Sequence, residues 1–263
     1  MHRFYLPADQ CGEKALALSE REAHHAADVL RVRPGETVVV LDGAGHQFFC
    51  EASEVGRKKV ILIVREKKFI APLPWQITLL QAIPKGKLIE SIIEKATELG
   101  AARIVPLLSE RVTTRLDFEA AKDKAGKWRH VAIEAIKQCG QPWLPQVDTP
   151  LTLPEFLARG EKFDLTFAGS LHGDGRHPRE YVEAFLSTHQ RLPQSLGVWI
   201  GPEGDFSPDE MSAMKSAGAL PITLGNLVLR CETAAIAALA TLNYELQWKR
   251  ERRIFQTARN RIL

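Results

Sequence analysis

The chain has few cysteines, no long apolar run and little net charge, and each absence excludes a class of protein. Its four cysteines lie far apart in the 263 residues and form no CxxC pair, so we predict neither a disulfide framework nor a metal site. No stretch approaches the roughly 18 apolar residues of a membrane span, and the opening residues MHRFYLPADQCGEK lack the apolar core of a signal peptide. We therefore expect a protein of the reducing cytoplasm.

The common nucleotide-binding and hydrolase motifs are also missing. The P-loop pattern G-x-x-x-x-G-K-[ST] occurs nowhere, and the loop Ile83-Pro84-Lys85-Gly86-Lys87 does not have the glycines of a dinucleotide site. The stretch Gly169-Ser170-Leu171-His172-Gly173 fails the G-x-S-x-G spacing of a nucleophile elbow. We interpret His172 as a loop residue rather than a catalytic base.

Charge alone does not identify a nucleic-acid-binding protein, because the net charge is only +3. The charge is unevenly distributed, however: residues 249–263 hold six Lys or Arg and one acid. Such a basic C-terminal tail either binds phosphates or is simply solvated.

Residues 1–70 predict a small β-barrel with one helix. HRFYL is typical of a strand, and Ser19 with Glu22 forms a capping-box pattern that predicts a helix to about Val32. Three further strand-like runs follow: ETVVVLDG, HQFFCEASEV and KKVILIVRE. This antiparallel meander is too short for a sandwich, and closure into a barrel would remove its exposed edges.

The prolines of Ala71-Pro72-Leu73-Pro74 predict a stiff linker, after which residues 75–248 alternate between strand and helix patterns. The clearest helices are predicted at 88–99 and 118–139, closed by Gly100 and Gly140. Alternation at this spacing predicts a parallel sheet with helices on both faces.

Residues 197–239 contain two successive strand-turn-helix units. In the first, GVWI is followed by a glycine turn and a helix with Ser207 as N-cap, Pro208 at the first helical position and Glu210 completing a capping box. Gly218 is placed to end this helix. In the second, a strand at 220–224 precedes Gly225 and an alanine-rich helix that starts after Arg230.

A third glycine-bearing loop begins at Gly169, after the strand FDLTFA. Because all three loops follow strands of one parallel sheet, they meet at its carboxyl edge and predict a cleft for a nucleotide-like ligand. The alternative is that these glycines only form turns.

Several specific motifs stand in order along the chain. The most specific are IGPEGDFS (Ile200 to Ser207) and LGNLVLRCETA (Leu224 to Ala234), with EKATELG, SER, QCG and HHAADVLRVRPGE in support. With these motifs the chain resembles, over nearly its whole length, the RsmE family of ribosomal RNA uridine methyltransferases in the SPOUT class.

The resemblance implies an N-terminal PUA-like RNA-binding barrel at 1–70 and a SPOUT methyltransferase domain at 75–248 with a deep trefoil knot. The basic tail at 249–263 is longer than the usual ending of the family. It implies S-adenosylmethionine as cofactor, 16S ribosomal RNA or the small ribosomal subunit as partner, a homodimer, and methylation of a uridine at N3 near the decoding region. The alternatives are a non-catalytic RNA-binding assembly factor and a SPOUT methyltransferase that acts on another RNA.

Site residues follow by position from the same motifs. Those implied to line the cofactor are Gly169, Leu171, Gly201, Pro202, Glu203, Gly204, Leu224, Gly225 and Leu229. Arg230 and Glu232 are the candidate catalytic pair, although Glu232 could equally be only a first-turn carboxylate of its helix. The candidate RNA ligands are Arg3, Arg31, Arg33, Arg111 and Gln138.

The chain departs from the family pattern at three positions. Asp205 stands where the family usually has a glycine, and an Asp tolerates unusual backbone angles better than most residues. Leu227 and Gln141 stand where the family often has arginines. These two replacements affect the expected RNA contacts more than the cofactor site.

Overall fold

The computed structural model describes residues 1–111, 118–170 and 175–259, and the chain divides into two compact units. The first unit comprises residues 1–73 and 132–145, and the second comprises 74–131 and the residues from 146 onward. Each unit has its own sheet and core.

The first unit is a mostly antiparallel sheet with a short helical segment. Its elements are β1 (Arg3–Tyr5), β2 (Ala15–Ser19), α1 (Glu20–His24), a π-helical turn (His25–Val29), β3 (Thr37–Leu41), β4 (His46–Val55) and β5 (Lys59–Phe69). The strand order is β1-β3-β4-β5-β2. Only β1 and β3 pair in parallel.

The predicted barrel closure is not made by strand pairing within the described residues, because β1 and β2 remain at opposite edges of this order. Helical residues enter the core of the sheet instead. Ala23 and Ala26 are fully buried in the same cluster as Phe4, Leu18 and Phe48. The hydrophobic core of the first unit is therefore formed by a helical segment as well as by strands.

The capping box predicted at Ser19 is wrong. Ser19 has no side-chain cap bond. The Glu22 carboxylate, which would make the reciprocal bond of the box, has other partners: its Oε2 accepts from the Tyr5 N–H at 3.2 Å, and its Oε1 lies 2.8 Å from Lys137 Nζ. The helix is correspondingly short, and its continuation is a π turn. The alternation in ALALS, which forms β2 with Leu16 and Leu18 buried, is a strand signal that the sequence prediction missed.

The second unit is a parallel sheet covered by helices. Its elements are β6 (Gln76–Ala82), α2 (Leu88–Glu98), β7 (Arg103–Leu108), α3 (Phe118–Cys139), β8 (Gln146–Val147), β9 (Leu151–Thr152), α4 (Leu153–Ala158), β10 (Leu165–Gly169), α5 (Pro178–His189), β11 (Ser195–Ile200), α6 (Pro208–Ser216), β12 (Leu220–Ile222) and α7 (Cys231–Arg259). The last residues of α3, from 132, belong to the first unit.

The strands of the second unit are ordered β12-β10-β11-β6-β7-β8, with β9 also paired to β7, and each recorded pair is parallel. This confirms the predicted parallel sheet. Helix α7 packs on α2, α5, β6 and β11. Met211 and Met214 of α6 and Phe156 of α4 share a different core cluster with Trp199 of β11.

Helix α7 continues through most of the basic tail, to Arg259; residues 260–263 lie outside the described part. Two ion pairs join it to α5. Arg179 Nη2 lies 2.6 Å from Oε1 of the buried Glu245, and Lys249 Nζ lies 2.6 Å from Glu183 Oε1. None of the helices in the described ranges is both long and apolar enough to cross a membrane.

Candidate active site

Three loops meet where the parallel strands β10, β11 and β12 end. A cavity of about 830 Å³ opens among them, within the size range of small-molecule sites. Its wall is formed by residues 169–170 and 175, 200–203 and 205, 223–232 and 234, and by Leu88 at the start of α2. Because glycines and peptide groups form much of the wall, a ligand can be bound by main-chain N–H and C=O groups.

The loop after β11 makes a tight turn around Asp205, whose φ of 61° lies in the left-handed region. Its Oδ1 accepts from the Phe206 N–H at 2.8 Å, and its own N–H donates to the Pro202 carbonyl at 2.9 Å. A Cβ at position 201 would lie only 2.7 Å from Asp205 Oδ1. Gly201 is thus required for this turn, and Asp205 adopts the unusual backbone angle expected from the sequence.

The capping box of α6 is confirmed, and its carboxylate also ties two loops together. Ser207 Oγ accepts from the Glu210 N–H at 3.2 Å, while Glu210 Oε2 accepts from the Ser207 N–H at 2.8 Å. The same carboxylate accepts from Ser109 Oγ at 2.9 Å and from the Glu110 N–H at 3.0 Å. Glu210 is only 4% exposed; its bonds with Ser109 and Ser207 are buried, and its bond with the Glu110 N–H is part-buried. Together they hold the loop after β7 against the loop after β11.

Arg111 makes a second link between the same loops. Its guanidinium Nη1 donates to the Gly204 carbonyl, and its N–H donates to Ser109 Oγ at 3.4 Å. This candidate RNA ligand therefore contacts the loop that was predicted to hold the cofactor.

Two carboxylates flank a buried thiol at the cavity wall. The Cys231 Sγ–H donates to Glu232 Oε2 at 3.4 Å, and Glu203 Oε1 accepts from the Lys85 N–H at 3.0 Å. Burial, helped by the Glu232 hydrogen bond and by the charges of both carboxylates, raises the pKa of Cys231 to about 12. The thiol is therefore protonated at neutral pH, which makes it a hydrogen-bond donor rather than a nucleophile.

Arg230 lines the same cavity and is exposed. Within the described residues, no carboxylate lies within the 4.0 Å of an ion pair from its guanidinium. Its charge is thus available to an anion. Two nearby apolar wall residues, Leu227 and Val228, are 80% and 79% exposed.

Most of the predicted cofactor residues come together in this wall. Those that line it are Gly169, Gly201, Pro202, Glu203, Leu224, Gly225 and Leu229, joined by the predicted catalytic pair Arg230 and Glu232. Gly204 is not part of the wall but accepts the Arg111 bond. Leu171 lies outside the described residues, as does His172.

The other candidate RNA ligands belong to the first unit. Arg31, Arg33 and Gln138 are exposed. Arg3 is engaged within the unit, because its Nη1 donates to the carbonyls of Lys137 at 3.3 Å and Gln138 at 3.0 Å. Its guanidinium also packs against Gly140, where a Cβ would lie 3.1 Å from Arg3 Cζ.

Sequence reasoning missed several wall residues, among them Leu88, Thr223, Cys231 and Ala234. Cys231 and Ala234 stand inside the RCETA motif, which was the available signal. No sequence signal indicated Leu88, because this residue lines the cavity only as a result of where α2 is placed in the fold. In the described ranges, no cluster of three or more His, Cys, Asp or Glu side chains could hold a metal ion.

Comparison with known proteins adds two family matches. The model of an RNA methyltransferase domain matches residues 71–243, and that of an RNA methyltransferase PUA domain matches residues 18–65.

Named relatives cover most of the chain. The ribosomal RNA small subunit methyltransferase E of Synechocystis is 31% identical over 94% of this chain and 78% of its own length. The protein of the same name from Mycobacterium tuberculosis is 33% identical over 84% and 83%.

Two solved structures are also similar. A Legionella pneumophila protein, described as a methyltransferase in complex with the cofactor SAM, has a TM-score of 0.82 at 32% identity and covers 92% of this chain and 96% of its own. The ribosomal RNA small subunit methyltransferase E of Neisseria gonorrhoeae bound to S-adenosyl methionine has a TM-score of 0.80 at 26% identity, over 93% and 97%.

Proposed function

Because this chain belongs to the RsmE family of RNA methyltransferases, we propose that it methylates N3 of a uridine in 16S ribosomal RNA, near the decoding region. The coarser activity follows from the family: the chain is an S-adenosylmethionine-dependent methyltransferase of small-subunit ribosomal RNA. The observation that carries the finer proposal is the cavity at the sheet edge. Arg230, which has no ion pair among the described residues, and the carboxylate of Glu232 both line it.

The residues of the cavity fit the cofactor. Gly225 has a φ of 122°, and a Cβ added there would meet no atom within 4 Å, so its bare backbone is open to a ligand. We propose that Gly169, Gly201–Glu203, Leu224, Gly225 and Leu229 bind S-adenosylmethionine. Leu171 stays a candidate ligand from the sequence and lies outside the described residues. The bound cofactor supplies a methyl group that its sulfonium already activates.

The protein must then orient the base and remove a proton. N3 of uridine carries a proton and lies on the Watson–Crick edge, so the base has to be unpaired before it can react. In our proposal Arg230 stabilises the negative charge that develops on the uracil, and Glu232 positions the base or accepts the N3 proton. Glu232 already accepts from the Cys231 thiol through Oε2, which orients its carboxylate at the wall.

RNA binding is assigned to the PUA unit and to the edge of the cavity. The matched PUA model at residues 18–65 supports a role for the exposed Arg31 and Arg33. Arg3, Gln138 and Arg111 remain candidate RNA ligands, although Arg3 and Arg111 each donate to main-chain carbonyls. A cytoplasmic location is part of the proposal, since the four cysteines are free thiols.

We also propose that the enzyme is a homodimer. Uncovered apolar groups support it: Leu227 and Val228 beside the cavity, and Tyr244 and Trp248 on α7, are between 47% and 80% exposed. Sedimentation velocity tests this proposal with Trp248→Glu, which should produce monomers. The matched control is Val29→Glu, at a residue of the first unit that is 61% exposed. An unchanged dimer in Trp248→Glu, or a wild-type monomer, would contradict the proposed interface.

The trefoil knot is a further proposal, since parallel order alone does not require it and chain topology rules disfavour knots. It is supported by the family membership and by the cavity wall, where residues 223–232 lie with the loops after β10 and β11. An experimentally determined structure in which the chain from residue 223 onward does not pass through the other loops would refute the knot.

The central test is the modification state of ribosomal RNA. Small-subunit RNA from a strain that lacks this protein should lose one N3-methyluridine, detected by mass mapping, and the purified protein should restore it. Retention of the modification in that strain would refute the assignment. If binding occurs without methyl transfer, the assembly-factor alternative is correct.

Arg230→Ala tests the proposed charge stabilisation. We expect kcat to fall by about 10²- to 10³-fold, the typical effect of removing one stabilising group from a transition state, while the calorimetric Kd for S-adenosylmethionine changes little. Arg176→Ala is the matched control, because Arg176 is exposed and precedes α5 but does not line the cavity. Full activity in Arg230→Ala would exclude this role.

A further inference from the structure

A lysine-bearing loop adjoins the cavity without being used in the proposed reaction. It lies between β6 and α2 and consists of Lys85, Gly86 and Lys87, all exposed. Gly86 has a φ of 68°, and a Cβ added there would meet no atom within 4 Å, so the loop projects into open space. Leu88, the next residue, lines the cavity.

The loop is anchored through its backbone, which leaves both side chains free. The Lys85 N–H donates to Glu203 Oε1 at 3.0 Å, and Glu203 is itself a wall residue. On the sheet side, Ile83 is only 4% exposed and its N–H donates to the Leu107 carbonyl at 2.9 Å. The two lysines are therefore held beside the cavity mouth by contacts that do not involve their ammonium groups.

Neither ammonium group forms an ion pair with a carboxylate in the described parts of the chain. Lys95 on the adjoining helix α2 is different, since its Nζ lies 2.9 Å from both Glu94 and Glu98. Arg230, which lines the cavity, likewise has no ion pair with a carboxylate of the described residues. Lys85, Lys87 and Arg230 therefore differ from Lys95 and Arg179, which form ion pairs with carboxylates.

Solvation alone would account for two surface lysines. Their position beside the cavity also indicates a ligand. A uridine bound in the cavity is joined to the RNA strand by a phosphate on each side, and these phosphates would pass close to the two lysines. Lysine suits such a contact: its ammonium is a compact charge on a flexible stem and binds phosphate without reading sequence. The cavity would then bind the cofactor and the target base, while the two lysines would bind the adjoining RNA backbone.

We propose that Lys85 and Lys87 bind backbone phosphates of the ribosomal RNA strand next to the target nucleotide. The inference rests on the proposed function and names a contact within it. A second anionic group, the carboxylate of S-adenosylmethionine, shares the same chemistry, so the experiment must separate the two ligands.

The test uses the full chain with Lys85→Ala and Lys87→Ala combined. The backbone anchor to Glu203 survives this change, because it uses the Lys85 N–H. The substrate is the small ribosomal subunit purified from a strain that lacks the protein, and methyl transfer is followed with tritium-labelled S-adenosylmethionine. Affinity for the subunit is measured at several salt concentrations, and cofactor affinity by calorimetry.

We expect the KM for the subunit to rise by about 5- to 30-fold, as for the loss of two solvent-exposed charge contacts, with kcat at saturation within about twofold. The slope of log affinity against log salt should become shallower by about 1.4, or about 0.7 for each lost phosphate of a single strand. Lys85→Arg with Lys87→Arg should restore most of the affinity. Lys95→Ala is the matched control and should behave as wild type.

Two outcomes would overturn the inference. One is an unchanged KM and salt slope in the double alanine variant while the wild type is active. The other is a weakened cofactor Kd with an unchanged salt slope, which would assign the lysines to the cofactor carboxylate. Failure of the wild type to methylate the subunit would instead refute the proposed function, so the two failures are distinguishable.

Discussion

Replacing Glu210 should damage the cofactor site more than loss of an ordinary helix cap. In Glu210→Ala, the Ser207 and Glu110 N–H groups lose acceptors at 2.8 and 3.0 Å, the first in a buried place and the second in a part-buried one. Hydrogen bonds to a charged acceptor are worth about 1.5–3 kcal/mol each. The Ser109 hydroxyl can rotate to another partner. For two such bonds we therefore expect the free energy of unfolding to fall by about 3–6 kcal/mol.

The chain contains a matched control in α4. Thr152 and Glu155 form the same capping box, with Glu155 Oε2 accepting from the Thr152 N–H at 2.7 Å, but at the surface and without bonds to a second loop. Glu155→Ala removes only a cap, which is worth about 1 kcal/mol. The comparison isolates the loop-to-loop bonds of Glu210 from capping itself.

Urea denaturation followed by circular dichroism measures the stability difference, and calorimetry measures S-adenosylmethionine binding. We expect Glu210→Ala to weaken cofactor binding by about tenfold, equivalent to about 1.4 kcal/mol, because the loop at 201–207 loses its fixed position. Glu155→Ala should bind normally. Glu210→Gln retains one acceptor oxygen, so its stability and its affinity for S-adenosylmethionine should lie between those of wild type and Glu210→Ala. Equal stability losses in the two alanine variants, with unchanged cofactor binding, would refute the reasoning.

Two further substitutions test other parts of the second unit. Asp205→Val should destabilise the protein by about 1–2 kcal/mol or more, since a β-branched residue is strained at a φ of 61°. Asp205→Gly should be nearly neutral in thermal melts. Equal melting temperatures for the two variants would contradict the strain argument. Hydrogen bonds from Arg191 and from the Gln194 N–H at 2.7 Å hold the pKa of Asp164 well below its usual range. A carboxyl whose pKa is depressed in the folded state stabilises the protein at pH values above its unfolded pKa of about 4. Asp164→Asn should therefore be less stable than wild type at pH 7, and the urea midpoints of the two proteins should converge as the pH falls below 4. A difference in midpoint that does not change with pH would exclude this linkage.

Local sequence rules predicted the elements whose signals are self-contained. Helix α6 begins at Pro208, after the Ser207 cap, as its capping box predicts, and Gly218 follows it with a φ of 94°. Helix α3 covers Phe118–Cys139 as predicted, with Gly140 at a φ of 83°. In each case the residues that determine the boundary are neighbours in sequence.

Predictions failed where a side chain has a distant partner. Ser19 and Glu22 have capping-box spacing, yet Glu22 binds Lys137, 115 positions away. Glu210 was identified as a capping residue, but its bonds to Ser109 and Glu110 come from a loop a hundred positions earlier. Competition between local and distant partners is decided by packing, which sequence spacing does not encode.

One side of the cavity is held by bonds between loops, and another side has side chains without such partners in the described residues. On the first side, Glu210 and Arg111 bond the loop at 201–207 in place, so binding groups are positioned before the ligand arrives, as electrostatic catalysis requires. On the second side, Arg230 lacks an ion-pair partner in the described chain and Leu227 is 80% exposed. Unpaired charge and bare apolar surface do not stabilise the isolated chain. We propose that the RNA and a second subunit complete this rim, because an exposed guanidinium suits an anion and exposed apolar side chains suit a protein contact.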